Sequence, residues 1–418
     1  MLLFAILTLS LLAIVNYRIG GRALLYPPVV FSAIFAFDLF LVWVAGDLFY
    51  AMLPQTLVVL VYGAFAFSLG AWLAMLQPTG RAPGTQVLPK SSDRMITILV
   101  AVVVASFPAY VYWIYQLVSA RRGPAALSFL LLARMSMVEL MGKSLAFTVF
   151  GTLSEIALIV ALIAFYEREG HSKRALLAIA VSIAMGLLMG QKSGPLSLIV
   201  GLLCIDWIKT RRVRWKVLIA MALIFAALTA TIEFYVHLGG DSLQEKAVPI
   251  VQNFAIYASG GIVAFDRLAR QPNVAPPVND FYPYYLRIVR KLGGHVEVPE
   301  VADFISIGPH GTAVNVYTIY WSFLELGYFG AIACVGVIGL LLTLIYKRAI
   351  QNSSLWVLLF AVLFRGVVFA PFNNQFGLWY FLFFVVLVWW LVYALPLHLA
   401  RIKFLIASRV EANLAKAP

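Results

Sequence analysis

The chain is built from apolar runs of about 20 residues separated by short polar connections, and that repetition limits its fold more than any motif does. With 63% of 418 residues hydrophobic and 12% charged, at a mean hydropathy of +0.93, no soluble domain of this length is compatible with the pattern. The expected fold class is an all-α polytopic membrane protein forming a single membrane domain over residues 1–418. Eleven transmembrane helices are predicted near 2–17, 23–44, 54–77, 95–118, 145–166, 174–190, 194–208, 216–236, 313–345, 355–371 and 376–397. The first of them, "MLLFAILTLSLLAIVNY", lacks a basic leader and a small-residue cleavage site, so it reads as a retained helix.

The net charge of +13 is explained by where the cations sit. Nineteen of 31 Lys and Arg fall in alternate connections: Arg18 and Arg22, the 78–94 segment, "EREGHSKR", "KTRRVRWK", "YKR" and the tail after 397. The positive-inside rule assigns these to the cytoplasm, with the N-terminus periplasmic and the C-terminus cytoplasmic. No basic module stands apart from the helices, so no nucleic-acid partner is expected. Cys204 and Cys334 fall within apolar runs and offer neither a disulfide framework nor a zinc spacing.

The opposite side then carries two large loops, 119–144 and 237–312. The first is apolar in its middle and reads either as a re-entrant segment or as a surface helix on lipid headgroups. The second, with six Lys or Arg, seven Asp or Glu and the aromatic stretch "NDFYPYYLRIVRKLGG", is expected to form a small folded cap or amphipathic surface helices. Cations on this side run against the insertion bias and include Arg121, Arg122, Arg134, Lys143, Arg267, Arg270, Arg287, Arg290 and Lys291. Arginine forks bind phosphate oxygens two at a time, so an anionic ligand is one reason for their presence.

Lys192 in "GLLMGQKSGPLSLIV" stands at the outer end of a helical hairpin, beside Gly194 and Pro195, which suit the first turn of a new helix. It reads either as an anion site shared with a helix N-terminus or as a lysine snorkelling to the headgroups. Asp38, Glu155, Glu233, Glu325 and Arg365 fall inside apolar runs, where an ionisable group is a functional candidate or one half of a structural ion pair. No nucleophile, phosphate-loop or metal-ligand constellation of the soluble kind is present, and neither metal nor cofactor is expected.

Three segments resemble the Wzy-type O-antigen (oligosaccharide repeat unit) polymerases. "HGTAVNVYTIYWSFLELGYFG", residues 310–330, is similar to the family's entry from a large periplasmic loop into a helix, with Asn315, Tyr317, Thr318, Glu325, Gly327 and Gly330 at the matching positions. "GQKSGPLSLIVGLL" resembles its Gly-x-Arg turn, with Lys192 where arginine is usual. "NFAIYASGGIVAFDRL" resembles its Tyr-x-x-Gly-Gly segment. The related lipopolysaccharide ligases often carry a His-Asn pair near this helix start, whereas here Val314 precedes Asn315 and the nearest histidine is His310.

The resemblance implies a GT-C-like bundle with two large periplasmic loops in the bacterial inner membrane. Its activity would be that of a metal-independent glycosyltransferase, a polysaccharide polymerase of surface-polysaccharide (O-antigen) biosynthesis. Donor and acceptor would both be undecaprenyl-pyrophosphate-linked glycans, held among membrane lipids, with a chain-length regulator protein as an optional partner. Arg122, Arg134, Lys192, Arg287, Arg290 and Arg365 are the candidate pyrophosphate contacts. His310, then Glu325, are the candidates for the base, and Tyr257, Asn315, Tyr317, Asn373, Asn374 and Gln375 for glycan contacts. Two rival expectations are an O-antigen ligase and a transporter or flippase of lipid-linked sugar; the 76-residue outer loop favours an external active site over a flippase.

Overall fold

The computed structural model describes residues 1–78, 92–120, 145–167, 172–188, 193–212, 243–270, 305–309, 312–314, 317–376 and 379–414. Among the described residues 84% are helical, and seven helices are long and apolar enough to cross a membrane, as in a multi-pass membrane protein. These spans are Leu2–Ile19, Pro27–Val44, Pro54–Leu76, Asp93–Ala120, Val149–Tyr166, Gly327–Ala349 and Phe381–Leu399. The expected span 216–236 lies outside the described residues. The expected span 355–371 is the helix Ser354–Val368, whose 15 residues rise only about 23 Å, short of a full hydrocarbon core.

The chain divides into two compact units, Met1–Thr79 with Leu203–Trp379, and Gly80–Leu202 with Tyr380–Pro418. The first unit contains α1 (Leu2–Ile19), α2 (Pro27–Val44), α3 (Pro54–Leu76), the end of α7 (Ser193–Thr210), α8 (Leu243–Ala269), α9 (Gly327–Ala349) and α10 (Ser354–Val368). Proline occupies the first turn of both α2 and α3, where its missing N–H costs no helical bond. Two-residue strands β1 (Ile305–Ser306) and β2 (Ala313–Val314) pair antiparallel, and a 3-10 segment, Ile319–Leu326, leads into α9.

Two expectations for this unit are corrected. The helix anticipated from 313 begins at Gly327, because Gly327 sits at φ 72°, ψ 172°, a backbone region that only glycine enters easily, and this separates the 3-10 segment from α9. Within the expected outer loop 237–312, residues 243–269 form a helix whose second half is core and not a surface element. Ala255, Ser259, Ile262, Val263, Ala264, Phe265 and Asp266 are all buried.

Among the described helices, α3 and α9 pack backbone to backbone. A Cβ on Gly70 would stand 2.0 Å from the Gly336 carbonyl oxygen, and one on Gly339 2.2 Å from that of Phe67. Glycine on both faces lets the backbones touch, as small residues do between membrane helices. Two turns before Gly70, Gly63 faces the fully buried ring of Tyr320, whose hydroxyl donates to the Leu60 carbonyl at 3.4 Å. Phe35 and Phe265 pack on the same ring with centroids at 5.8 and 6.2 Å. Asn16 joins three helices: its amide donates to Ser68 Oγ (2.8 Å) on α3 and to the Pro28 carbonyl (3.2 Å) on α2, and Oδ1 accepts from Trp72 Nε1 (2.9 Å).

The second unit packs α4 (Asp93–Ala120), α5 (Leu145–Tyr166), α6 (Ser172–Leu188), the start of α7 and a final helical stretch, α11 (Trp379–Trp389), a π turn (Trp390–Ala394) and α12 (Leu395–Leu414). Tyr110 donates to the Met185 carbonyl at 2.9 Å, and Trp113 stacks on Phe150 at 4.7 Å. Gly194 and Pro195 stand in the first turn of α7 against Gly186, where a Cβ would meet Pro195 Cδ at 2.9 Å. The last helix, expected to stop at 397, runs on to Leu414.

Replacing Gly63 with Ala drives a methyl group into the Tyr320 ring and is expected to destabilise the protein by about 2 kcal/mol. Gly151→Ala, which meets nothing within 4 Å, should leave the thermal midpoint in detergent unchanged or raise it. Equal midpoints for Gly63→Ala and the parent would contradict the packing just described.

Candidate functional site

At one end of the first unit, four connecting segments converge on the C-terminal half of α8. The α2–α3 connection bonds to the β hairpin through Tyr50 N–H and the Ile307 carbonyl at 2.9 Å. Gly308 approaches the Leu48 carbonyl so closely that a Cβ would lie 1.9 Å from it. Gly260 lies under Val314 and Ile307, and a Cβ on Gly261 would stand 2.5 Å from the Pro371 carbonyl oxygen. The 3-10 segment is tied to the turn after α10 by Ile319 N–H donating to the Ala370 carbonyl at 2.8 Å.

The anchor of this end is Asp266, fully buried at the last turn of α8. Its Oδ1 accepts from Thr56 Oγ1 at 2.7 Å and from Leu53 N–H at 2.8 Å, at the start of α3. A carboxylate there satisfies an otherwise unpaired helix N–H and complements the positive end of the helix dipole. Its Oδ2 accepts from Arg270 Nε (3.1 Å) and Nη2 (2.5 Å), and Arg270 also donates to the Ala51 carbonyl. Arg267, one turn back, lies over the Tyr50 ring at 4.4 Å. Arg267 and Arg270, read from the sequence as outer cations with an anionic ligand in view, therefore have partners inside the fold. Asp266 is absent from the residues expected at the site, although its spacing of four from Arg270 on a helix is a recognisable pair signal.

The turn after α10 brings further polar groups to the same end. Arg365, three residues before the end of α10, is only 8% exposed. Asn374 is buried and its Oδ1 accepts the Phe376 N–H at 3.0 Å, while Asn373 Oδ1 accepts Gln375 Nε2 at 2.6 Å. The carbonyl oxygens of both asparagines are thus engaged in shaping the turn. Tyr317 is buried with its ring 5.4 Å from that of Trp321, and Thr318 Oγ1 and Trp321 Nε1 are buried without hydrogen-bond partners among the described residues.

Of the residues expected at the site, Tyr317, Asn373, Asn374 and Gln375 stand at this end, and Arg365 lies in the last turn of α10 that leads to it. Tyr257 on α8 and Glu325 on the 3-10 segment have described backbones, but their side chains lie outside the described residues. Arg122, Arg134, Lys192, Arg287, Arg290, His310 and Asn315 also lie outside them; His310 falls in the sequence between Pro309 and Thr312 of the hairpin. Among the described residues no three His, Cys, Asp or Glu side chains come together as metal ligands do. Asp38 is buried on α2, where its backbone carbonyl accepts from Ser259 Oγ at 3.0 Å.

Asp266→Ala strands Arg270, Thr56 and the α3 N-terminus together and is expected to cost about 4 kcal/mol. Thr56→Val removes a single neutral donor, for about 1 kcal/mol. Thermal denaturation of the two variants should rank them in that order, and a harmless Asp266→Ala would remove Asp266 as the anchor.

Compared with protein-family models, curated proteins and solved structures, the chain matches none of them, so its function must be read from these residues.

Proposed function

We propose that the protein is a polymerase joining undecaprenyl-pyrophosphate-linked oligosaccharide repeat units at the periplasmic face of the bacterial inner membrane. One observation supports this reading above the others. Two segments that resemble the polymerase family, more than forty residues apart in sequence, meet in the fold. Gly260 and Gly261 of "YASGG" pack on the hairpin and on Pro371 and Phe372, and the segment after Tyr317 and Thr318 bonds to Ala370. Glycine at 261 is explained by that approach, since a Cβ there would stand 2.5 Å from the Pro371 carbonyl oxygen, and at 260 a Cβ would press on Val314 and Ile307 at 3.2 and 3.3 Å.

Charge supports the orientation. The far end of the first unit carries Arg18, Arg22, Lys209, Arg211, Arg212, Lys347 and Arg348. There Lys347 Nζ donates to the Ala74, Met75 and Gln77 carbonyls at 2.6–3.2 Å and so caps α3 at its negative end. A cytoplasmic position for this end puts the Asp266 end in the periplasm. The GT-C-like arrangement, with eleven spans and two large periplasmic loops, is part of the same proposal.

In the reaction, a hydroxyl of the acceptor repeat unit attacks the anomeric carbon of the donor glycan. The bond from that carbon to the pyrophosphate oxygen breaks, undecaprenyl pyrophosphate leaves, and the hydroxyl proton passes to a base. Charge grows on the leaving pyrophosphate, so a fixed cation stabilises the transition state. Arg365 is the described residue suited to that task, with Arg122, Arg134, Lys192, Arg287 and Arg290 proposed alongside it. His310, then Glu325, are proposed as the base; Tyr317 and Tyr257 are proposed to contact the glycan.

The test uses purified protein in nanodiscs with lipid-linked repeat units and no added metal. A ladder of longer glycans that survives chelator is expected, slowed about 100-fold or more by Arg365→Gln and by His310→Ala. Absence of a ladder with the correct substrate would overturn the polymerase. Transfer of glycan to lipid A would identify a ligase instead, and movement of intact substrate across a vesicle a transporter.

A further inference from the structure

The last helical stretch is too long for a single crossing. From Trp379 to Leu414 it holds 36 residues and rises about 54 Å, against a hydrocarbon core of about 30 Å. Phe381–Leu399 accounts for the crossing, and the next charged residue is Arg401. The helix beyond Leu399 is far from a polar tail. Ile402, Leu405 and Ile406 are 51%, 51% and 58% exposed, and their spacing puts them along one side of α12 together with Leu399. In the same stretch Arg401 and Lys403 occupy positions flanking that row and Arg409 continues it by one turn, a place from which a long cationic side chain can snorkel to headgroups, against the single acid Glu411.

The chain also has a place to bend in the second half of that crossing, from the π turn to Pro396, three residues before Leu399. Leu395 N–H donates to the Trp390 carbonyl five residues back, which makes the π turn, and Pro396 has no N–H to give the Val392 carbonyl. That carbonyl accepts from Ser92 N–H instead, at 3.1 Å, so the helical ladder is interrupted at this point. π turns and prolines are where helices change direction.

We infer that α12 beyond Leu399 is an interfacial helix that lies along the membrane surface, with its apolar side in the acyl boundary and its basic residues on anionic lipid headgroups. Three half-exposed branched side chains in a row are unfavourable in water but suit a helix at the headgroup level. The excess of cations matches an anionic leaflet and gives the surface its selectivity. Continuity with the Phe381–Leu399 span delivers the helix to that surface. The inference is independent of the polymerase reading.

The test uses the full chain carrying Cys204→Ala, Cys334→Ala and Ile406→Cys, labelled with an environment-sensitive fluorophore. The protein is reconstituted in vesicles of phosphatidylcholine with or without phosphatidylglycerol. With phosphatidylglycerol, the label should be quenched by a shallow nitroxide lipid and about fivefold less accessible to aqueous acrylamide than in phosphatidylcholine alone. The combined Arg401→Gln, Lys403→Gln and Arg409→Gln variant should lose this dependence, while Arg401→Lys, Lys403→Arg and Arg409→Lys together should keep it. Equal acrylamide quenching in the two vesicle types overturns the inference, whether the label is wet in both or dry in both. Protection from acrylamide without quenching by the nitroxide lipid overturns it too, because a second copy or another segment then covers the helix.

Discussion

The contact on which the first unit depends is the backbone-to-backbone approach of α3 and α9 at Gly70, Gly336 and Gly339. In a bilayer, apolar side chains gain little from leaving lipid, so close packing must supply what water exclusion supplies elsewhere. The approach also fixes where the 3-10 segment before α9 can lie. That segment inserts Tyr320 over Gly63, between Phe35 and Phe265, and so α2, α3 and α8 share one buried ring. Tyr317 and Thr318 are thereby held as neighbours on a short, tightly packed stretch.

The two ends of this unit solve the same physical problem with opposite charges. At one end Lys347 meets the carbonyls that close α3; at the other Asp266 meets the Leu53 N–H and the Thr56 hydroxyl that open it. Each helix terminus leaves backbone groups unpaired, and a bilayer offers no water to satisfy them. A buried carboxylate on α8 is a specific answer, since it ties α8, α3 and the α2–α3 connection together through one side chain.

Much of this was legible in the sequence. The apolar runs locate α1 to α7 to within a few residues, and hydropathy with length marks α1 to α5 among them as long enough to span. Pro54 and Pro195 mark helix starts for the same local reason. What the runs could not reveal is α8: its polar first half and its Glu, Lys and Asp give it the composition of a loop, while its second half is core, with Asp266 bonded to Thr56, 210 residues away in sequence. The late start of α9 was hidden because residues 313–326 are as apolar as a span, and only the backbone angles of Gly327 separate them. Likewise Asn373 and Asn374 read as sugar-binding amides from their location, whereas hydrogen bonds within a few residues give their carbonyl oxygens a role in the turn.

The central claim is that lipid-linked glycan is handled at the Asp266 end of the first unit. The most direct measurement places a photo-crosslinking amino acid at Tyr317 in one variant and at Gln351, near the opposite end, in another. Each is illuminated with lipid-linked repeat units in nanodiscs, and the adduct mass is read. An adduct carrying the glycan at 317 and none at 351 is the result expected here. Capture at 351 alone, or at both positions equally, would contradict the placement of the site.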